Sequence, residues 1–306
     1  MVDFNPSCPV CNSEQYQTFL AEEKMFGMGG QFEYLECANC KSLRIKHIPT
    51  DLQAFYPPNY YSFNSKAKDS DLFKFLKRIR SILWDLGLPV WKTDYYSWIK
   101  TTSVKKHHEI ADIGCGDGQL LKQLRYCGYH NLYGFDPYIK EEYHSKQLNI
   151  LKRNLEEINQ TFDLVMFHHS LEHMENPSEV FFQVKRILKP NGKLIVRVPV
   201  TDGQVWKEEK INWLQLDAPR HLFIPSVKAL ELLAAKFGFK VGKIEFDSLA
   251  NQFWGTELYK MGKSLHNTDI HKVFSKKELK EFDQKAEEFN KLRIGDQVFA
   301  FFTIVK

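Results

Sequence analysis

The chain has 306 residues, 43% of them hydrophobic and 26% charged, with a formal net charge of +4. That composition can bury a large core and excludes a disordered or fibrous chain, while the interleaving of basic with acidic residues excludes a tail built to grip a phosphate backbone. The opening MVDFNPSCPVC has no basic-then-apolar signal region, and no apolar run approaches the roughly 18 residues of a membrane span, so no transmembrane segment and a cytoplasmic location are expected.

Four of the six cysteines fall at the N-terminus as Cys8-x-x-Cys11 and Cys37-x-x-Cys40, two pairs separated by 25 residues. In a reducing compartment such pairing points to metal rather than disulfides. Four thiolates would fill a tetrahedral zinc shell and leave no open position, so the expected site is structural Zn2+. With strand-like runs at 14–20 and 32–37, residues 1–50 read as a zinc ribbon. Residues 51–106 form a connector, with a Tyr- and Pro-rich stretch, 55-FYPPNYYSF-63, and a helix from about Asp69 to Trp84. Its apolar positions Leu72, Phe75, Leu76, Ile79, Ile82 and Leu83 recur at helical spacing, with Lys74, Lys77, Arg78 and Arg80 between them. The expectation is a lid laid by its apolar face on the core; contact with an anionic membrane surface through 69–84 is the other reading.

From 107 to 306 the pattern alternates strand and helix, which predicts an α/β fold with a Rossmann-like, seven-stranded, mostly parallel sheet. Strands are expected at 109–113, 131–135, 148–152, 162–168, 193–198, 240–246 and 297–305. Helices are expected near 118–127, 138–147, 177–188, 226–237, 251–264 and 276–290. A Trp-, Asp- and Pro-rich insertion at 200–225 breaks this rhythm, where such folds place substrate recognition.

In 111-ADIGCGDGQLLKQL-124 an apolar strand ends in Gly114, Gly116 and Gly118, and a helix follows at once. Glycines let the backbone turn and approach a ligand closely, and a helix N-terminus offers free N–H groups to something anionic or polar. Asp136, closing the next strand in 131-NLYGFDPY-138, can accept both hydroxyls of a nucleoside ribose. Dinucleotide folds carry GxGxxG; here the spacing is GxGxG with Asp112 two residues earlier, which favours S-adenosylmethionine (SAM) over NAD.

Together 109-EIADIGCGDG-118, 134-GFDP-137 and 162-FDLVMFHHSLEHMENP-177 resemble class I SAM-dependent methyltransferases over about 107–247. The resemblance implies that Asp112, Gly114, Cys115 and Gly116 hold the methionine part of SAM, Asp136 the ribose, and Asn154 the adenine amine. The segment His168 to His173 is similar to the family's HxLEH run, whose first histidine borders cofactor and acceptor, so His169 is a lining, cofactor-contacting or base candidate. Glu172 and His173 are expected to anchor the loop. In 213-WLQLDAPRHLFIPS-226, similar to a Pro-x-His-Leu segment over the acceptor pocket, His221 is the preferred general base and Arg220 is expected to pair with Asp217. Cys115 and Cys127 are not metal ligands on this reading.

The layout of ribbon, Tyr-rich connector and Pro-Arg-His-Leu insertion looks like methyltransferases of sugar, surface-polysaccharide and natural-product pathways. The acceptor is therefore expected to be a hydroxyl of a sugar, glycan or related small molecule. Two other readings stay open: an rRNA or tRNA methyltransferase using the ribbon on RNA, a less favoured acceptor given the modest charge, and a non-catalytic SAM- and zinc-binding scaffold.

Overall fold

The computed structural model of the protein describes residues 6–57, 70–88 and 94–305. Connector residues 58–69, with the predicted helix start at Asp69, and 89–93 lie outside them. At the N-terminus β1 (Tyr16–Glu22), β2 (Gln31–Cys37) and β3 (Leu43–Ile45) form an antiparallel meander between and after the two cysteine pairs. The helices α1 (Asp71–Asp85) and α2 (Asp94–Thr101) follow.

The second half is built on β4 (Glu109–Ile113), α3 (Gln119–Tyr126), β5 (Asn131–Phe135), β6 (Tyr143–His144), β7 (Leu148–Leu151), β8 (Phe162–His168), α4 (Pro177–Ile187) and β9 (Leu188–Pro199). It continues through α5 (Gln204–Glu209), β10 (Phe223–Ile224), α6 (Val227–Phe237), β11 (Phe239–Phe246), α7 (Asn251–Lys260), α8 (Ile270–Val273), α9 (Lys276–Lys291) and β12 (Gln297–Ile304). One sheet runs in the order β11-β12-β9-β8-β4-β5-β7-β6. Strands β9, β8, β4, β5 and β7 pair in parallel, while β12 is inserted antiparallel between β11 and β9. The expected seven strands are all present, and the sheet is mixed. Ile110, Ala111, Asp112 and Ile113 of β4 are all buried, as a central strand covered on both faces requires.

The helix expected at 138–147 does not form. That stretch carries Lys, Glu and Gln, which suit helices, but only Ile139 in it is buried, so no apolar stripe exists to hold a helix on the sheet. Instead Asp136 Oδ1 accepts from Tyr138 N at 2.8 Å and turns the chain, and β6 adds an eighth strand antiparallel to β7. The other helix boundaries follow local chemistry. Asn176 caps α4 by accepting from Glu179 N, with Pro177 in its first turn, and Ser226 caps α6 by accepting from Ala229 N. Gly238 at φ +77° ends α6 in the left-handed conformation.

The N-terminal strands are extended by a distant one. β10 pairs with β3, Phe223 opposite Arg44, so the small sheet runs β1-β2-β3-β10. Tyr34, Leu43 and Ile45 from this sheet, Trp206, Trp213 and Leu216 from the insertion, and Phe253 of α7 share one apolar cluster. Side-chain hydrogen bonds run from Ser178 to Pro9 O at 2.6 Å, from Thr201 to Lys41 O at 2.7 Å and from Ser226 to Cys40 O.

α1 differs from the expected lid. Leu72, Phe75, Leu76, Ile79 and Ile82, the apolar positions meant for the core, are exposed. The helix meets α3 through polar atoms instead: Ser81 Oγ donates to Cys127 O at 2.9 Å and Lys77 Nζ to the Gln123 carboxamide at 2.5 Å. Among the described residues no helix is long and apolar enough to cross a membrane.

Candidate active site

The glycine loop lies where β4 runs into α3. Gly114 N and Cys115 N both reach Phe135 O, at 2.7 and 3.3 Å, fastening the loop to the end of β5. A Cβ on Gly114, which has φ +71°, would stand 2.5 Å from Ser170 Cβ, so the glycine is required by the close approach of the segment after β8. Ser170 Oγ completes that junction by donating to Ile113 O at 2.6 Å. Gly116 N donates to Asp136 Oδ2 at 2.9 Å. Asp136, 7% exposed, thus spends one lone pair on each carboxylate oxygen and keeps others for a ligand.

Asp112 lies beneath this loop, 3% exposed, and its Oδ1 has no hydrogen-bond partner. Burial first and the neighbouring Asp136 second push its carboxyl up to about 8. A buried carboxyl oxygen left without a donor is the mark of a missing cationic or N–H ligand, and the ammonium of a bound amino-acid moiety fits that demand. Asn154 stands just beyond the end of β7, exposed, with its backbone N–H donating to Glu157 Oε2 at 2.7 Å.

Beyond β8 the histidines separate into two groups. Arg197 Nη1 donates to His169 Nε2 at 2.9 Å and lies 3.2 Å from His168 Nε2. His169 Nε2 therefore accepts, its hydrogen is on Nδ1, and Nδ1 faces Glu172 Oε1 at 3.3 Å. Both ring nitrogens of His169 are engaged, and its backbone has φ +55°, an unusual conformation for a non-glycine residue. Burial first, with the charge of Arg197 adding to it, holds His168 well below the ordinary histidine range, so this ring is neutral.

His173 and His221 form the second group, their ring centroids 4.8 Å apart. His221 is 5% exposed, and its Nδ1 donates to Gln215 O at 2.7 Å, leaving Nε2 with the lone pair. The loop bearing it is fixed by Leu222 N donating to Glu172 O at 2.7 Å and Tyr34 Oη donating to His221 O at 2.8 Å. Arg220 does pair with Asp217, at 2.7 Å, and also with Glu23 of the N-terminal segment at 2.6 Å.

Sequence reasoning missed Arg197, Asp247 and Trp98. Arg197 Nε donates to Asp247 Oδ2 at 2.6 Å, and the guanidinium lies 4.8 Å from the Trp98 ring centroid. The available signal was an arginine inside the run 194-LIVRVPV-200: a charge in a buried strand needs partners, and here these are a carboxylate, an aromatic face and two histidines. At the N-terminus Cys8 Sγ lies 3.6 Å from Cys40 Sγ and Cys11 Sγ 3.5 Å from Cys37 Sγ, and all four sulfurs fall within 4.8 Å of one another.

A family model described as "Methyltransferase domain" matches residues 93–244. The tRNA U34 carboxymethyltransferase of Pseudoalteromonas translucida (strain TAC 125) is 29% identical over 150 residues, 44% of this chain and 45% of its own length. That of Campylobacter jejuni subsp. jejuni serotype O:2 is 26% identical over 210 residues, covering 62% of this chain and 71% of its own length. Among solved structures, the cyclopropane synthase MmaA2 from Mycobacterium tuberculosis is 18% identical with a TM-score of 0.45, over 69% of this chain and 82% of that one. The matched domain, the Rossmann-like sheet and the glycine loop with its two acids together define a class I SAM-dependent methyltransferase domain. Residues 93–244 thus carry a SAM-dependent methyltransferase domain.

Proposed function

We propose that the protein methylates a hydroxyl of a sugar, glycan or related small molecule, with His221 as general base. The observation that carries this reading is the ring of His221, oriented by Gln215 O so that its Nε2 lone pair is free of a hydrogen. In the transfer, the acceptor oxygen bonds to the SAM methyl carbon as the carbon–sulfur bond breaks, S-adenosylhomocysteine leaves, and the hydroxyl proton passes to His221 Nε2. The sulfonium is already an activated leaving group, so the protein's main task is alignment. His169, bound by Arg197 and Glu172, suits lining the site better than taking the proton.

On this reading Gly114, Cys115 and Gly116 border the methionine part of SAM, Asp112 meets its ammonium, Asp136 holds the ribose and Asn154 borders the adenine. The Asp112 assignment has a pH signature. A carboxyl at about 8 is protonated at neutrality and must ionise to meet an ammonium, so binding costs less as pH rises toward 8. SAM affinity is expected to tighten by up to about tenfold per unit between pH 6 and 8, with release of one proton. Calorimetry in buffers of different ionisation enthalpy checks this, and in Asp112→Asn both the slope and the proton should vanish.

The four thiols fit zinc. A tetrahedral ion with Zn–S bonds of about 2.3 Å sets sulfurs about 3.8 Å apart, close to the two pair distances here. Elemental analysis should return one zinc for each four-cysteine cluster; protein that purifies folded without metal would remove the assignment.

The tRNA U34 carboxymethyltransferases among its relatives support a second reading, a tRNA acceptor. Labelled SAM offered in parallel with nucleotide sugars, extracted glycans and unmodified tRNA separates the two. Label in sugar or glycan supports the first reading, and label in tRNA alone replaces it with the second. SAM binding with transfer to none of them leaves a scaffold.

A further inference from the structure

One donor atom from each of Glu172, His173 and His221 lies within 4.8 Å of the other two. The hydrogen bonds around this trio are one-sided. His173 Nδ1 lies 2.9 Å from Arg220 O and His221 Nδ1 2.7 Å from Gln215 O. A carbonyl only accepts, so each Nδ1 carries the hydrogen and each neutral ring keeps its lone pair at Nε2. This backbone bracing of the far nitrogen is how proteins orient histidines that ligate metals. Tyr56 Oη, 3.2 Å from His173 Nδ1, lies on the same braced side of that ring.

Glu172 spends Oε1 on His169, while Oε2, in a residue with 0% exposure, has no hydrogen-bond partner. The nearby guanidinium of Arg220 does not serve it, being taken by Asp217, Glu23 and Phe55 O. Asp217 Oδ2, 3.9 Å from His221 Nε2, adds a further acceptor to that side. A clustered carboxylate with one oxygen lacking a donor and two imidazoles that each keep a lone pair make a set of acceptors, and burying it is costly unless a cation joins it.

We propose that Glu172, His173 and His221 bind a divalent first-row metal ion, separate from the four-cysteine cluster. Two imidazoles and one carboxylate suit zinc, iron, nickel or manganese, and three protein ligands leave open positions. Its use, though not its binding, rests on the methyltransferase reading. An acceptor hydroxyl in an open position becomes more acidic, its proton passes to solvent water, and the resulting oxygen bonds to the SAM methyl as the carbon–sulfur bond breaks. With the ion bound, His221 serves as a ligand and the proton goes to solvent; without the ion, its Nε2 is free to act as the base proposed above.

The test titrates Mn2+ into protein stripped of metal by chelation and then given one equivalent of Zn2+ for the four-cysteine cluster, and follows it by electron paramagnetic resonance. The expected result is one Mn2+ per chain with nitrogen couplings from imidazole in the pulsed spectrum, and affinity about tenfold or more weaker in Glu172→Gln and His221→Asn. No bound Mn2+, bound Mn2+ without nitrogen coupling in the wild type, or equal affinity in Glu172→Gln overturns the proposal. SAM binding measured calorimetrically on the same sample is the separate readout: its absence would sink the methyltransferase reading and leave the cation result standing.

Discussion

Arg220→Met should be the most damaging single substitution away from the cofactor, lowering stability by about 3–5 kcal/mol. The guanidinium is fully buried and donates to both oxygens of Asp217, to Glu23 at 2.6 Å and to Phe55 O at 2.9 Å. Glu23 is itself 3% exposed and accepts from the backbone of Phe26 and Met28 at 3.0 and 2.8 Å. Methionine fills similar volume, so the loss comes from two carboxylates stranded without a cation, not from a cavity. Burial would raise the Asp217 carboxyl, but Arg220 holds it below the usual range. A depressed folded-state value gives stability that is present above about pH 4 and lost as pH falls through that value. The gap between wild type and Arg220→Met should therefore narrow on acidification. Chemical denaturation at pH 7 and well below pH 4, near pH 2.5, measures it. A constant gap would mean that packing, not charge, is responsible, and Asp217→Asn added to Arg220→Met should recover part of the loss.

Asp136→Ala should weaken SAM binding by about a hundredfold, roughly 2.7 kcal/mol. The side chain accepts from Gly116 N and from Tyr138 N, so it shapes the glycine loop and the turn after β5 before it meets any ribose. Removing it frees two backbone donors and, on the proposed reading, deletes the acceptor for two ribose hydroxyls, and hydrogen bonds to charged groups contribute about 1.5–3 kcal/mol each. Calorimetry with SAM reads the effect, with thermal melting to show that the sheet survives. Unchanged affinity would remove Asp136 from the cofactor site. Asp136→Asn distinguishes its two tasks, since the amide can keep the turn to Tyr138 while losing charge.

The parts legible in the sequence are those in which one local pattern carries all the information. The passage from Ile110 through Gly118 into α3 shows its apolar strand, its glycines and its helix within a dozen residues, and the structure assembles them in that order. The 138–147 stretch misled because helix-forming residue types outweigh the absence of an apolar stripe. In α1 the periodicity was real, but periodicity says only that a face exists, and the neighbour across from it is chosen by polar atoms at Ser81 and Lys77. Arg197, Asp247 and Trp98 come from three distant segments, and no spacing rule links them. The same holds for Glu172, His173 and His221, whose nearness depends on how the 200–225 insertion folds back.

The pairing of β3 with β10 sets an order of assembly. It joins residues about 180 positions apart, a closure whose entropic cost can be met only after most of the chain has been ordered. During synthesis the N-terminal strands can form early, bracketed by their cysteines, and wait with β3 as an uncovered edge. The segment 217–224 then docks late, and His221 is carried into place with it. The segment carrying His221 is thus expected to become native last and, by the same contacts, to open first when the N-terminal sheet is loosened.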